Sequence, residues 1–433
     1  MWWRAWKLVR RSKTPAHLNA STLRSVSTAM GVSMSDTASA APDRIGARIR
    51  EFRALRDYSL SELGRRAHVS PSLLSRIENG ERALSESVLA AVARALAVSV
   101  SVLRGQPYIQ TLQKEQLDAL LTPISTAFDD WDLPPDDAPP PRSLDALEDE
   151  VRRLRALRVK AQFTEIAGYL PGLVSELALA TQVHSAPGRD RERAYAAQAE
   201  VSRTAAIVAY RIGYMDLARL ALSRMAVAAP QSGDPRQVAI ERYERAQMAA
   251  DSSRLDRGVS LMRHSLRELD DDGTRATRAV RGTLQLRAAT LSARRGDESG
   301  AADWMGEAAE LAEETGETRD YALAFGPLNV HLHEIATAGD QNNYDEALAV
   351  ASGVRLPDDY PPTRAAHFWI DKARAETWTA RNDEAVASLN AARAASPQLT
   401  RYHHSVHETV ATLLRARQRP SSELRDYALW CGV

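Results

Sequence analysis

The 433-residue chain predicts an all-α protein. Three observations carry this. From Leu144 to the end Ala, Leu, Arg and Glu dominate, and all are good helix formers. Alternating Val/Ile/Thr/Tyr runs, the mark of half-buried strands, are missing from the sequence. Similar turns punctuate the helical stretch: YRIGYMDLARLAL at 210, SARRGDESGAADWM at 292, ATAGDQNNYDEALAV at 336 and TARNDEAVASLN at 379. The markers Gly213, Gly296, Gly339 and Asn382 repeat at a period near ~42 residues once a missing turn is supplied around Ser253–Asp256. Helix, Gly/Asn-Asp turn and helix at such a period form an α-solenoid.

Composition sets the bounds. The length suits two or three domains. Hydrophobic residues at 44% and charged ones at 26% are ordinary for a globular protein. Net charge is zero, so any surface for a polyanion has to be local. One thiol, Cys431, cannot form an internal disulfide or a cysteine zinc cluster, which suits a reducing cytoplasm. No apolar run approaches ~18 residues, so no membrane span is expected.

Four zones follow in order. Residues 1–40 are read as a disordered leader or an extended start, with Met30 or Met34 as the natural beginning. Six Lys/Arg meet no acid before Asp36 there, but Arg10-Arg11 is not followed by the apolar core of a secretory signal.

Residues 41–105 pack short amphipathic segments closely. Helix 1 is expected at 44–56 (Ile45, Ile49, Phe52 and Leu55 inward) and helix 2 at 60–68, with a capping box of Ser59 and Glu62 and with Leu63 and Ala67 inward. Helix 3 is expected at 71–79, capped by Ser70, with Pro71 in the first turn, where its missing N–H is harmless, and Leu74 and Ile77 inward. Helix 4 is expected at 86–97 with Val88, Leu89, Val92, Ala93 and Leu96, and a short fifth begins at Ser101. From Arg44 to Arg104 eleven Lys/Arg meet six acids, so the basic balance is concentrated here.

Residues 106–143 are read as one helix, QTLQKEQLDALLTPI, then an acidic, proline-rich linker, DDWDLPPDDAPPP. Proline blocks helix and sheet, and like charges extend the chain. Residues 144–433 form the repeat zone. In its turns Gly or Asn is expected to close the first helix left-handed and Asp to cap the second, with Ala218, Ala301, Ala347 and Ala385 allowing close approach. SELRDYALWCGV reads as a closing helix.

Two resemblances sharpen this. The repeat zone resembles a tetratricopeptide-like array, with a period longer than the usual ~34 residues. The run through helices 1 to 4 resembles the phage-repressor/Xre helix-turn-helix family. Its carriers are Leu63, Ala67, Val69-Ser70, the run Leu74 to Gly80 and Ala93-Arg94-Ala95-Leu96. The resemblance implies a five-helix lambda-repressor-like domain with helix 3 in the DNA major groove. It places Ser72, Ser75 and Arg76 at base edges, where Arg76 forks to guanine O6 and N7. Pro71 cannot donate, and Leu73 half-packs or touches a thymine methyl. It places Ser59, Ser70, Asn79 and Arg82 at the DNA backbone, and makes Arg53 and Glu78 a structural bridge between helices 1 and 3. Two residues depart from the family pattern: Leu60 stands where glutamine is usual, and His68 where a turn glycine is usual.

Other chemistry is weakly marked. His403 and His407 are expected on one helical face, but with no third ligand and no HExxH spacing they are read, with His331, as packing or surface residues. Asp270-Asp271-Asp272-Gly273 lacks a calcium-loop pattern. Trp304, Trp369 and Trp378 are read as core or groove lining. No P-loop, GxGxxG or GxSxG is present, so no enzyme, metal or cofactor is expected. The architecture resembles a class of actinobacterial regulators and, more loosely, peptide-sensing regulators of Gram-positive bacteria. The implied function is a cytoplasmic homodimer that regulates transcription on an inverted repeat in double-stranded DNA, its repeat domain binding a peptide or protein or mediating dimerisation. The rival reading is an interaction scaffold whose N-terminal module docks without reading DNA.

Overall fold

The computed structural model describes residues 45–46, 49–50, 53, 58–82, 84–96, 103, 111–132, 138–250, 254–416 and 420–433. The leader, most of the expected first and fifth helices (with Phe52 and Leu55), and the run 133–137 lie outside the described residues.

In the N-terminal zone three helices are complete: α1 (Leu60–Ala67), α2 (Pro71–Glu78) and α3 (Glu86–Ala95). Each begins at a serine whose hydroxyl accepts a backbone N–H three residues on: Ser59 from Glu62, Ser70 from Leu73 and Ser85 from Val88. Ile49, Leu63, Ala67, Leu74, Ile77, Leu89, Val92, Ala93, Leu96 and Leu103 bury together as one core. Gly46 lies hard against the end of α2: a Cβ there would stand 2.0 Å from the Ile77 carbonyl oxygen.

The helix expected in the first half of the linker zone is present, but it packs into the array. This helix is α4 (Thr111–Asp129), and Leu121, Ile124 and Phe128 are buried in the same core as the repeats. Spacings of three and four residues put these on one helical face, which covers the start of the array. Tyr214 donates to Asp118, Gln182 to the Asp132 carbonyl, and Arg224 stacks over Trp131. Arg142, after the prolines, forks to Glu176. Thus helix 111–129 and residues 131–132 and 142 are fastened to the array.

The repeats run as antiparallel hairpins: α5 (Leu144–Val159) with α6 (Phe163–Val183), α7 (Arg189–Ile212) with α8 (Met215–Ala228), and α9 (Pro235–Ala250) with α10 (Leu255–Glu268). They continue with α11 (Arg275–Arg294) and α12 (Glu298–Thr315), α13 (Pro327–Asp340) and α14 (Tyr344–Gly353), and α15 (Pro362–Trp378) and α16 (Asn382–Ala395). Three helices close the chain: α17 (Pro397–Tyr402), α18 (His404–Ala416) and α19 (Ser422–Cys431). The closing helix buries Leu424, Tyr427, Ala428 and Cys431 as expected. The first helices of successive hairpins, α7, α9, α11, α13 and α15, pack side by side. Polar rungs join them: Arg203 to Glu244, Arg287 to Tyr243, His333 to Thr290 and Arg294 to Asp340, at sequence separations between 41 and 46. The sequence period is therefore the spacing of neighbouring inner helices.

The turn chemistry differs in two of the four places. Gly213 and Gly296 are left-handed as expected, but Gly339 is helical and the left-handed residue is Asn342. Asn382 opens α16, and Ala380 is left-handed in its place. What repeats is a closure in which the next N–H reaches back five residues: Tyr214 to Ala209, Asp297 to Ser292, Asn343 to Ala338 and Arg381 to Glu376. Asp297 alone of the expected aspartates caps with its side chain. Asp216, Asp345 and Asp383 sit two residues after the N-cap, in the first turn, where they face the positive helix end. Ala218, Ala301, Ala347 and Ala385 are all buried, as close hairpin packing requires.

Candidate nucleic-acid interface

The turn between α1 and α2 is closed by the same five-residue reach, Val69 N–H to the Gly64 carbonyl at 2.9 Å. His68 adopts the left-handed conformation a glycine would take, with φ 53° and ψ 40°. Histidine enters this region more readily than a β-branched residue, so the turn keeps its length without glycine. Leu60, at the other departure, packs half-buried against the domain core. The capping box forms only in part. Ser59 accepts from the Glu62 N–H at 3.0 Å, while the Glu62 carboxylate turns to Arg65 and Arg66. Those two guanidiniums hold its pKa down to about 2.

Helix α2 divides into an anchored face and an open one. Leu74, Ile77 and Glu78 are buried, whereas Pro71, Ser72 and Arg76 are exposed. Ser75 and Leu73 are half-buried. Ser70 Oγ caps Leu73 N–H and lies 3.3 Å from Ser72 Oγ. Arg76 lies along the helix, its Nε 3.4 Å from the Ser72 carbonyl. Arg82, beyond Gly80, is exposed.

The anchor at the far end is ionic. Arg53 donates from Nε and Nη2 to the two Glu78 oxygens at 2.7 and 2.8 Å, and from Nη1 to the Tyr58 carbonyl at 2.9 Å. Bonding to Glu78 raises the Arg53 pKa further. Sequence reasoning missed Arg50, which donates to the Glu78 carbonyl at 3.1 Å and to Asn79 Oδ1. Asn79 is therefore already engaged at its oxygen. The available signal was spacing: Arg50 and Arg53 stand three apart on a helical face. Arg66 over the Tyr58 ring, 4.5 Å from its centroid, was also missed.

The histidines and tryptophans of the repeat zone resolve as follows. His407 is buried and donates to the Arg401 carbonyl at 2.7 Å. His403 does not share its helical face: it sits before α18 in extended backbone, against the rings of His367 and His404. Among the described residues no group of three His, Cys, Asp or Glu could hold a metal ion. Trp304 and Trp369 pack against the core, but Trp378 is 61% exposed and stacks on Tyr344. Among the described residues no helix is long and apolar enough to cross a membrane.

These features define a helix-turn-helix unit followed by a helical-hairpin array. Residues 49–103 match the family model described as helix-turn-helix. No curated protein matches the chain. Two solved structures are similar to it. One is PlcR of Bacillus thuringiensis in complex with the peptide PapR7 and DNA, at 14% identity, covering 68% of this chain and 99% of that one with a TM-score of 0.28. The other is a point mutant of PrgX, at 12% identity, covering 89% of this chain and 99% of that one with a TM-score of 0.26. Scores this low describe no common arrangement of the whole chains.

Proposed function

We propose that the chain is a sequence-specific, DNA-binding transcriptional regulator whose hairpin array binds a ligand, peptide or partner protein or mediates dimerisation. The observation that carries this is the division of α2. Ser72 and Arg76 stand open on a helix whose other face and far end are fixed by Leu74, Ile77 and the Arg53–Glu78 fork. A rigid helix with an open face that carries a serine near its start and an arginine one turn later is what major-groove reading needs.

In this reading Arg76 is the main reader, able to fork to a guanine, and Ser72 donates one short bond. Ser75 reads less, because it is half-buried. Ser59, Ser70, Asn79 and Arg82 set the register on phosphates, with Arg50 orienting Asn79. Residues 41–105 then form the DNA head, and α4 belongs with the array. A homodimer would place two heads about one helical turn (~34 Å) apart on an inverted repeat.

The test is selection of bound sequences by the full chain, followed by titration of the selected duplex. Arg76→Ala should weaken binding by about 1–3 kcal/mol and relax preference at one base pair. Log affinity should fall linearly with log salt. A scaffold whose head only docks to protein would select no sequence and ignore Arg76→Ala.

A further inference from the structure

The inner helices of the array line an open cavity of about 150 Å³. Its wall draws on α5, α7, α9, α11, α13, α15 and α17, so nearly every hairpin contributes. Five arginines line it. Two are matched by carboxylates: Arg158 by Glu200 at 2.7 Å and Arg203 by Glu244 at 2.8 Å. The other three, Arg211, Arg287 and Arg364, have no ion-pair partner among the described residues. Arg287 reaches only the Tyr243 hydroxyl, at 2.8 Å. The buried Nε atoms of Arg287 and Arg364 have no acceptor.

Asn329 adds an independent observation. It lines the same cavity, is 2% exposed, and its Oδ1 has no hydrogen-bond partner. A buried carboxamide oxygen without a partner is costly. A half-turn about its last torsion presents N–H donors instead of the oxygen. The Arg287 and Arg364 guanidiniums and the Asn329 carboxamide thus line one space.

We infer that this cavity is a binding site for an oxyanion, a carboxylate or phosphate head group held by Arg211, Arg287, Arg364 and Asn329. The inference rests on the reading of the array as the ligand-binding part and names the chemistry of its ligand. Size supports a head group rather than a folded segment, since a cavity of about 150 Å³ holds a molecule of benzene size. Phe163, Ile207, Leu323 and Leu399 supply apolar wall for a short stem. The local field agrees. Burial, and then Arg364 and Arg287, drive the His333 pKa well below its usual value; burial and then Arg211 do the same to His367. Guanidinium forks match planar or tetrahedral oxyanions and bind them with charge-assisted bonds.

The test is calorimetric titration of the full chain with inorganic phosphate and, separately, succinate, at fixed pH and ionic strength against chloride. Saturable heat with one of them identifies the head group. Arg287→Met with Arg364→Met should weaken that binding at least tenfold, while Arg219→Met, on the exposed face of α8, should not. Asn329→Asp places a carboxylate inside the cavity. It should abolish anion binding yet raise the unfolding midpoint without ligand, opposite signs that misfolding cannot give. Arg76→Ala should leave the anion response intact, so failure of the cavity and failure of the DNA head are read separately. Absence of saturable binding over chloride for both anions, or undiminished binding in the double variant, overturns the inference.

Discussion

Arg53 and Glu78 meet as a two-bond fork across 25 residues of sequence, the carboxylate 5% exposed at the last turn of α2. The pair joins the helix before α1 to the helix proposed to read DNA. Removing one partner strands a buried charge, which costs more than the intact pair contributes.

Glu78→Ala should therefore destabilise the N-terminal core by about 3–5 kcal/mol. Amide exchange in α2 of the full chain measures this. Because Arg53 also holds the Tyr58 carbonyl, Arg53→Ala should open the α1 start as well. If exchange in α2 is unchanged in Glu78→Ala, the fork does not anchor the helix.

His68 sits left-handed where no side chain is at ease. His68→Gly should stabilise the turn by about 1 kcal/mol, and His68→Val should destabilise it by a similar amount. Calorimetry of the N-terminal transition decides this. A stabilising valine would mean the turn is not left-handed in solution.

Phe128 is buried with Leu121 and Ile124 between α4 and the array. Phe128→Ala should cost the array about 3–5 kcal/mol. The measurement is the main unfolding transition in denaturant. A neutral outcome would return residues 111–129 to the role of a loose connector.

Asp371 gives a pH dependence. Burial, and then its neighbour Asp340, push its pKa up from 3.8 to about 7. The folded chain holds this proton more tightly than the unfolded chain does. Its contribution to stability is thus complete below about pH 4 and is lost as pH rises through about 7. Asp371→Asn should flatten that loss between pH 5 and pH 8 and be the more stable chain at pH 8. Parallel thermal midpoints for both chains across that range would show that Asp371 carries no such proton.

Much of this was legible because the relevant physics is local. Serine caps at Ser59 and Ser70, Pro71 in a first turn, and apolar spacing at Leu63, Ala67, Leu74 and Ile77 each act within a few residues. The Arg53–Glu78 bridge came through family resemblance, not through spacing. The repeat period survived because neighbouring inner helices must bury equivalent faces. Its markers did not, because Asn342 and Ala380 serve the left-handed closure where Gly339 and Asn382 were expected. Left-handed geometry is cheapest for glycine, but packing of two long helices can impose it on alanine.

The sequence by itself determined the helices, the helix-turn-helix unit and the period of the array, all products of backbone preference and apolar spacing. Tertiary structure alone decided three things. It fastened helix 111–129, expected in a linker zone, onto the array. It engaged Asn79 with Arg50. It gathered Arg211, Arg287, Asn329 and Arg364 from four different helices around one cavity. Residues so far apart in the chain meet only when successive hairpins stack, and no local preference encodes that meeting.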